Sequence, residues 1–287
     1  MIDWIDALLL GIVQGLTEYL PVSSSGHLEI FKQILGVDLP ADENLQLSVL
    51  LHAATVLSTI VVLWPMFRRL CASFFTFRRD ADFWYVCKLL VSCIPVGIVG
   101  LCFKDYVEGT FQNLTVVGCC LIVTAALLIF AHITGLRAAR NGEVKFASAS
   151  AGREIGWWDA VVIGLAQAVA VLPGLSRSGT TIATGIMLGD KRDKVASFSF
   201  LMVIIPILGE ALLDVKDLME PAAQGAAQLG AGPLIVGFLA SFVVGCLACK
   251  WMISLVNKGE TLLVCPLLRG CRGALHLMVI RSETLFL

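Results

Sequence analysis

The first polar segment that interrupts the apolar sequence carries residue types that act on phosphate. It follows Pro21 and contains three serines, a glycine and a histidine, which are Ser23, Ser24, Ser25, Gly26 and His27. A serine hydroxyl is a weak nucleophile until an adjacent base takes its proton, and histidine carries protons near neutral pH. The spacing favours Ser24 as nucleophile with His27 as its base. Direct attack by His27 and attack by an activated water remain open.

A second polar segment follows Pro173 and surrounds a single cation with small and hydroxylated residues. Its members are Gly174, Ser176, Arg177, Ser178, Gly179, Thr180 and Thr181. A guanidinium inside an apolar segment needs an anionic partner, and its planar fork suits phosphate. The alternative is a structural ion pair between Arg177 and Glu18. The residues expected to support phosphate binding are Ser23, Ser25, Gly26, Gly174, Ser176, Ser178 and Thr181.

Glu18 and Gln14 are four residues apart before the first segment, so a helix would place both on one face. A carboxylate beside an amide oxygen can hold Mg²⁺ or Ca²⁺ together with phosphate oxygens. Glu18 could instead be a buried carboxylate that serves only Arg177. We interpret His52 and His132, which lie in apolar stretches away from these segments, as structural residues.

The composition places these segments in a lipid bilayer. Of 287 residues, 57% are hydrophobic and 15% charged, and the mean hydropathy is +0.86, which is far outside the range of soluble domains. A net charge of −1 gives no case for a nucleic acid partner. We expect one helical membrane domain over residues 1–287. Candidate spans are residues 45–64, 84–103, 114–135, 197–214 and 232–254.

Two apolar stretches, over residues 4–20 and 157–172, are each cut short by one of the polar segments. They resemble each other and indicate an internal duplication. Trp4-x-Asp6-Ala7 matches Trp157-x-Asp159-Ala160 at an offset of 153 residues, and Gln14 matches Gln167 at the same offset. Recurrence of polar and glycine positions at one offset is typical of a repeat. The repeats would cover about 1–140 and 155–287.

Loop charges indicate how the repeats are oriented. The loops rich in Lys and Arg fall within residues 68–79, 137–153 and 191–194, which predicts that they are cytoplasmic. The loops poor in these residues fall within 38–43, 105–108 and 214–220. Each repeat would then hold one re-entrant helix-loop-helix and about three transmembrane helices, with the second repeat inverted. The two polar segments would meet near the membrane midplane. A last span over residues 261–280 is left open, because Arg269, Arg272 and His276 lie in it.

With these motifs, the chain resembles the undecaprenyl pyrophosphate phosphatase family, also known for bacitracin resistance. The first family motif corresponds to Gln14-Gly-Leu-Thr-Glu18, which continues into residues 20–27, and the second to Pro173–Thr181. The similarity in pattern covers about residues 1–258. The tail after Lys258 departs from the aromatic-rich apolar span usual in the family.

The resemblance implies a multi-pass enzyme of the inner membrane with a site that faces outward. It would hydrolyse undecaprenyl diphosphate to undecaprenyl phosphate and inorganic phosphate with a divalent metal, recycling the lipid carrier of peptidoglycan synthesis. Glu18, Ser24, His27 and Arg177 would form its functional core. Inverted repeats with broken helices also occur in transporters, so a transporter or flippase of an anionic polyprenyl lipid is the alternative. A homodimer is left open.

Overall fold

The computed structural model describes residues 2–103, 114–140, 152–209 and 230–258. These ranges fold into helices joined by short connections, with no β-strand among them. A turn at Val203 separates the ninth helix from a further helical stretch over residues 204–209. The helices, numbered in chain order, are α1 (Trp4–Thr17), α2 (Ser24–Leu35), α3 (Ala41–Val62), α4 (Trp64–Phe75), α5 (Ala81–Cys102), α6 (Leu114–Arg140), α7 (Trp157–Val169), α8 (Arg177–Leu188), α9 (Arg192–Met202) and α10 (Ala231–Lys258).

Both polar segments break a helix, as the sequence predicts. The proline in each segment lacks the N–H that a continuous helix needs, and a serine then caps the start of the next helix. Ser23 caps α2 by accepting from Gly26 N at 3.4 Å, and Ser176 caps α8 by accepting from Gly179 N at 3.1 Å. The two helix-break-helix units begin at Trp4 and Trp157, and their second helices begin at Ser24 and Arg177. The local structure therefore repeats at the offset found in the sequence.

The apolar helices are long enough for a membrane protein. In the described part of the chain, two helices are long and apolar enough to span, Ala81–Cys102 and Ala231–Asn257, and they cover the spans predicted over 84–103 and 232–254. The span predicted over 114–135 lies within α6. The stretch over 45–64 follows α3, but the chain then bends by 87° into α4.

Two sequence predictions fall partly or wholly outside these ranges. The span predicted over 197–214 is interrupted, because α9 ends at Met202 and the helix resumes only over residues 204–209. Its remainder lies outside the described residues, as does the open stretch over 261–280.

Long helices hold the broken units in place. α1 packs along α10 and α3, α7 packs along α5, and α8 packs on α6 and α9. Gly11 lets α1 approach α10 closely, because a Cβ there would overlap the carbonyl oxygen of Gly237. Gly164 does the same for α7, since a Cβ there would lie 2.8 Å from Ser92 Cα. Small residues at such contacts are how membrane helices pack.

Candidate functional site

The two helix breaks lie against each other. Ser178 Oγ donates to the carbonyl oxygen of Leu20 at 3.4 Å across the junction. A Cβ built on Gly179 would lie 2.9 Å from Pro21 Cβ, and one on Gly26 would lie 3.4 Å from Gly174 Cα. The prediction that the two polar segments meet is confirmed by these contacts.

Gly174 is required by the backbone at this junction. Its φ of +89° is a left-handed conformation, and a Cβ would overlap the carbonyl oxygen of Val117 on α6. Thr124, one to two turns further along α6, donates to Gly174 O at 3.3 Å and accepts from Ser176 N at 3.1 Å. The second break is therefore fixed by α6.

Glu18 lies at the centre of the junction, at the C-cap of α1. Its Oε2 accepts hydrogen bonds from Ser24 Oγ at 2.6 Å and from Gln14 Nε2 at 3.0 Å. Its Oε1 faces Arg177 Nη2 at 3.6 Å. The structure thus brings together the carboxylate, the serine and the arginine that the sequence singled out, from three separate helices.

The contact between Arg177 and Glu18 is looser than a structural ion pair. Paired guanidinium and carboxylate groups normally approach to about 2.7–2.9 Å, whereas here the atoms are 3.6 Å apart. The side chain of Arg177 is 22% exposed and begins α8, where free N–H groups and the helix dipole also favour an anion. Arg177 therefore has donors available for a phosphate group.

His52 belongs to this site, although sequence reasoning interpreted it as structural. Its Nε2 lies 3.8 Å from Glu18 Oε2. Its Nδ1 donates at 2.8 Å to the Ser48 carbonyl oxygen, which can only accept, and this bond turns Nε2 toward Glu18. The spacing of Ser48, His52, Thr55 and Thr59 along one face of α3 was a signal that could have found it.

The first break holds its serines in an unusual conformation. Ser23 has a φ of 67°, a left-handed conformation that costs energy for a residue with a Cβ and that tends to persist at functional sites. Ser25 Oγ lies 3.4 Å from Ser23 Oγ, and His27 Nδ1 donates to Ser23 O at 2.9 Å. The sequence paired Ser24 with His27, whereas the hydroxyl of Ser24 here donates to Glu18.

The remaining predicted residues divide into two groups. Ser176 and Ser178 lie 3.3 Å apart through their Oγ atoms at the junction, where they are buried with Gly26 and Gly174. Thr181 lies one turn further along α8. Its hydroxyl bonds to Ser199 Oγ at 2.5 Å, so it ties α8 to α9.

A small cleft leads to Glu18 and Arg177. Its polar side is formed by Thr55 and Thr59 of α3 with Ser178 of α8. Its apolar wall is formed by Val56, Phe200, Val203, Ile204 and Ile207. The cleft therefore joins a charged end to an apolar wall, which is the shape that an amphipathic ligand requires.

Glu18 and Gln14 carry carboxylate and amide oxygens, the ligands that Mg²⁺ and Ca²⁺ prefer. Among the described residues, no group of three or more His, Cys, Asp or Glu side chains could hold a metal ion by itself. Gln14 Oε1 is buried without a hydrogen-bond partner, and rotating the amide would point this oxygen at Glu18. A cation at this point would need phosphate oxygens to complete its shell, as Mg²⁺ commonly does.

The helices define a helical membrane protein, and the junction brings a carboxylate, a guanidinium and several hydroxyl groups together between them. Most of the chain also matches a known protein family. The family described as "Bacitracin resistance protein BacA" matches residues 7–268. The chain belongs to this family.

Relatives named "Undecaprenyl-diphosphatase" are similar along most of their length. The relative from Bacteroides fragilis is 51% identical over 259 residues, which cover 90% of this chain and 91% of that protein. The relative from Bacteroides thetaiotaomicron is also 51% identical, over 90% of this chain and 92% of that protein. The relative from Halothermothrix orenii is 34% identical over 88% and 89% of the two chains.

Proposed function

We propose that this chain hydrolyses undecaprenyl diphosphate to undecaprenyl phosphate and inorganic phosphate. This activity returns the lipid carrier to peptidoglycan synthesis and confers resistance to bacitracin. The observation that carries the mechanism is the 2.6 Å hydrogen bond from Ser24 Oγ to Glu18 Oε2. The names of the relatives and the family support the substrate, and the charged end and apolar wall of the cleft suit a lipid diphosphate.

Ser24 is the nucleophile in this mechanism and Glu18 is the base. Ser24 Oγ attacks the terminal phosphorus, its proton passes to Glu18 Oε2, and the bond from phosphorus to the bridging oxygen breaks. Undecaprenyl phosphate leaves with the electron pair of that bond. A water molecule then attacks the phosphorus of the phosphoserine and passes one proton to a phosphate oxygen. The bond from phosphorus to Ser24 Oγ breaks, Ser24 Oγ takes the proton held by Glu18, and inorganic phosphate leaves.

Arg177 and His52 control the charge around Glu18. When the diphosphate binds, its negative charge engages Arg177, which is 3.6 Å from Glu18 Oε1. Glu18 then loses part of its stabilisation as an anion and becomes a better proton acceptor. His52, 3.8 Å from Glu18 Oε2, orients the carboxylate from the other side. His27, one turn after Ser24 on α2, would contact the phosphate.

Glu18 and Gln14 would hold a divalent cation, Mg²⁺ or Ca²⁺, with the phosphate oxygens. When bound, the cation would neutralise charge on the diphosphate. The protein residues position the oxygens for it and keep the serine aligned. Glu18→Gln should eliminate activity, whereas Gln14→Ala should mainly raise the metal concentration needed for half-maximal activity. Full activity in Glu18→Gln, with unchanged metal dependence in both variants, would remove the metal from these residues.

The orientation in the membrane is part of the proposal. Two inverted repeats, over about 1–140 and 155–287, would each hold one re-entrant pair and about three transmembrane helices in the cell inner membrane. The site would then face the periplasm or exterior. Cysteine labelling in a background without native cysteines should place position 38 outside and position 140 inside. Finding both on one side would reject the inverted arrangement.

The activity itself is tested with purified protein in detergent, where transport across a membrane cannot occur. Phosphate release from undecaprenyl diphosphate, lost in Ser24→Ala, is the expected result. If the wild-type protein binds this lipid without releasing phosphate, the alternative of an anionic lipid transporter would replace the proposal. The mass of the detergent-solubilised particle distinguishes a monomer from a homodimer, which the proposal leaves open.

A further inference from the structure

The helix α4 leaves the end of α3 at nearly a right angle. The bend between Gln46–Val62 and Trp64–Phe75 is 87°, and it occurs at Leu63, just before Pro65 near the start of α4. α3 is apolar and packs with α1 and α10 among the membrane helices. A helix perpendicular to a membrane-crossing helix lies parallel to the bilayer plane, the position of interfacial amphipathic helices.

One face of α4 packs on the protein and the other is exposed. Leu70 and Ser73 are buried, and α4 packs on α5. The outer face carries exposed side chains at helical spacing, which are Trp64, Arg68, Ala72 and Phe75. Phe75 is 76% exposed and Trp64 52%. Aromatic rings of this kind are typical of the boundary between lipid and water.

The turn after α4 continues this face in a fixed conformation. Phe77 and Arg79 have φ values of 50° and 52°, and such left-handed residues persist only where the surrounding structure holds them. Here Ser73 donates to Asp80, and Asp80 caps α5 by accepting from Phe83 N at 2.9 Å. The turn is therefore anchored at its base while Arg78 and Arg79 project outward as exposed side chains.

Most arginines on this face have no ion-pair partner in the described part of the chain, although Arg78 acts on the nearby carboxyl of Asp80. Arg69 pairs with Asp82 at 2.6 Å, but Arg68, Arg78 and Arg79 form no ion pair in the described part of the chain. Exposed arginines interleaved with aromatic rings at a membrane boundary attract negatively charged headgroups, by roughly 1 kcal/mol for each charge near the surface. The partner that complements this face is thus an anionic lipid.

We propose that residues 64–79, which we term the interfacial platform, bind the phosphate headgroups of anionic phospholipids in the adjoining leaflet. Arg68, Arg78 and Arg79 contact the headgroups, and Trp64 and Phe75 insert at the level of the upper acyl chains. The platform lies on α4 and the turn after it, whereas the polar junction is formed by α1, α2, α3 and α8. Lipid binding therefore does not depend on the proposed phosphatase mechanism.

The test uses the full-length protein in nanodiscs that contain equal amounts of phosphatidylglycerol and phosphatidylcholine. Native mass spectrometry of the released protein counts the retained lipids of each kind. Wild-type protein should retain phosphatidylglycerol preferentially. Replacing Arg68, Arg78 and Arg79 with Gln, singly and together, should lower this preference by about fivefold for each arginine removed.

A matched control removes the same number of positive charges at the start of α9, with Gln at its N-cap Lys191 and at Arg192 and Lys194 in its first turn. The control should keep the lipid preference, and both proteins should release phosphate in detergent at the wild-type rate. Equal retention of the two lipids by wild-type protein would overturn the proposal. An equal loss of phosphatidylglycerol preference in the control would also overturn the proposal, because lipid retention would then depend only on the total charge of the protein. A two-chain mass that the platform substitutions abolish would assign the face to a second copy instead.

Discussion

Removing the guanidinium of Arg177 should abolish turnover and leave the fold intact. At the 3.6 Å separation of Arg177 Nη2 and Glu18 Oε1, a pair of charges attracts by about 4–5 kcal/mol for an effective dielectric constant near 20. The same guanidinium must hold the charge of the diphosphate as the phosphoryl group transfers. Losing a transition-state contact of this kind costs about 3 kcal/mol or more, which corresponds to more than about a hundredfold in kcat.

The fold should survive because Glu18 keeps other donors. In Arg177→Ala, the carboxylate still accepts from Ser24 at 2.6 Å and from Gln14 at 3.0 Å. Arg177→Lys should restore little activity, since a point charge cannot reproduce a planar, two-pronged contact. Arg69→Ala is the control, because it breaks the ion pair with Asp82 at 2.6 Å, away from the polar junction.

The assay is phosphate release from undecaprenyl diphosphate in detergent, with kcat and KM determined separately and the melting temperature measured for each variant. We expect a fall in kcat for Arg177→Ala and Arg177→Lys and near-normal kinetics for Arg69→Ala. Near-normal kcat in Arg177→Ala would refute the reasoning and leave Arg177 as a structural partner of Glu18. Arg177→Ala could instead lower the melting temperature together with activity. If adding Glu18→Gln then restored the melting temperature, Arg177 would likewise be a structural partner of Glu18.

Three further predictions concern neighbouring groups. Substrate labelled in its terminal phosphate should leave acid-stable label on the Ser24 peptide. Acid-labile label that is lost in His27→Ala would make His27 the nucleophile. No label on the protein would indicate attack by water. His52→Gln should lower kcat/KM by about tenfold, through loss of a contact to the Glu18 carboxylate worth roughly 1.5 kcal/mol; an unchanged kcat/KM would return His52 to a packing role. Asp190 lies in the turn after α8, where burial raises its pKa from 3.8 to about 7. The native state therefore binds this proton more tightly than the unfolded chain, and the protein should lose stability as the pH rises between these two values. Melting temperatures measured across this range should fall less steeply in Asp190→Asn, and an equal slope would contradict the assignment.

The chemical elements of the site could be predicted from residue types and order alone. Prolines and serine caps act within a few residues, so Pro21 and Pro173 were sufficient to predict where the helices break. A single arginine among small hydroxylated residues in an apolar chain indicated an anion site for the same local reason. The equal offset of the two units was also visible, because a duplication leaves its spacing in the sequence.

Partnership between distant residues was decided only by packing. His27 is three residues from Ser24, yet the hydroxyl of Ser24 donates to Glu18 instead, because the chain turns back through Ser23 at a φ of 67°. His52 joins the site because α3 packs on α1, and the polar spacing along α3 does not tell which helix that face will meet.

The course of the chain after α3 was decided in the same way. Apolar content over residues 45–64 predicted a span, but hydropathy does not give direction. The chain bends by 87° into α4, which packs on α5. Sequence by itself therefore determined which residue types lie in the polar segments and where the helices break, since these depend on neighbouring residues. Tertiary structure determined which donor faces which acceptor, because that depends on how separate helices approach each other.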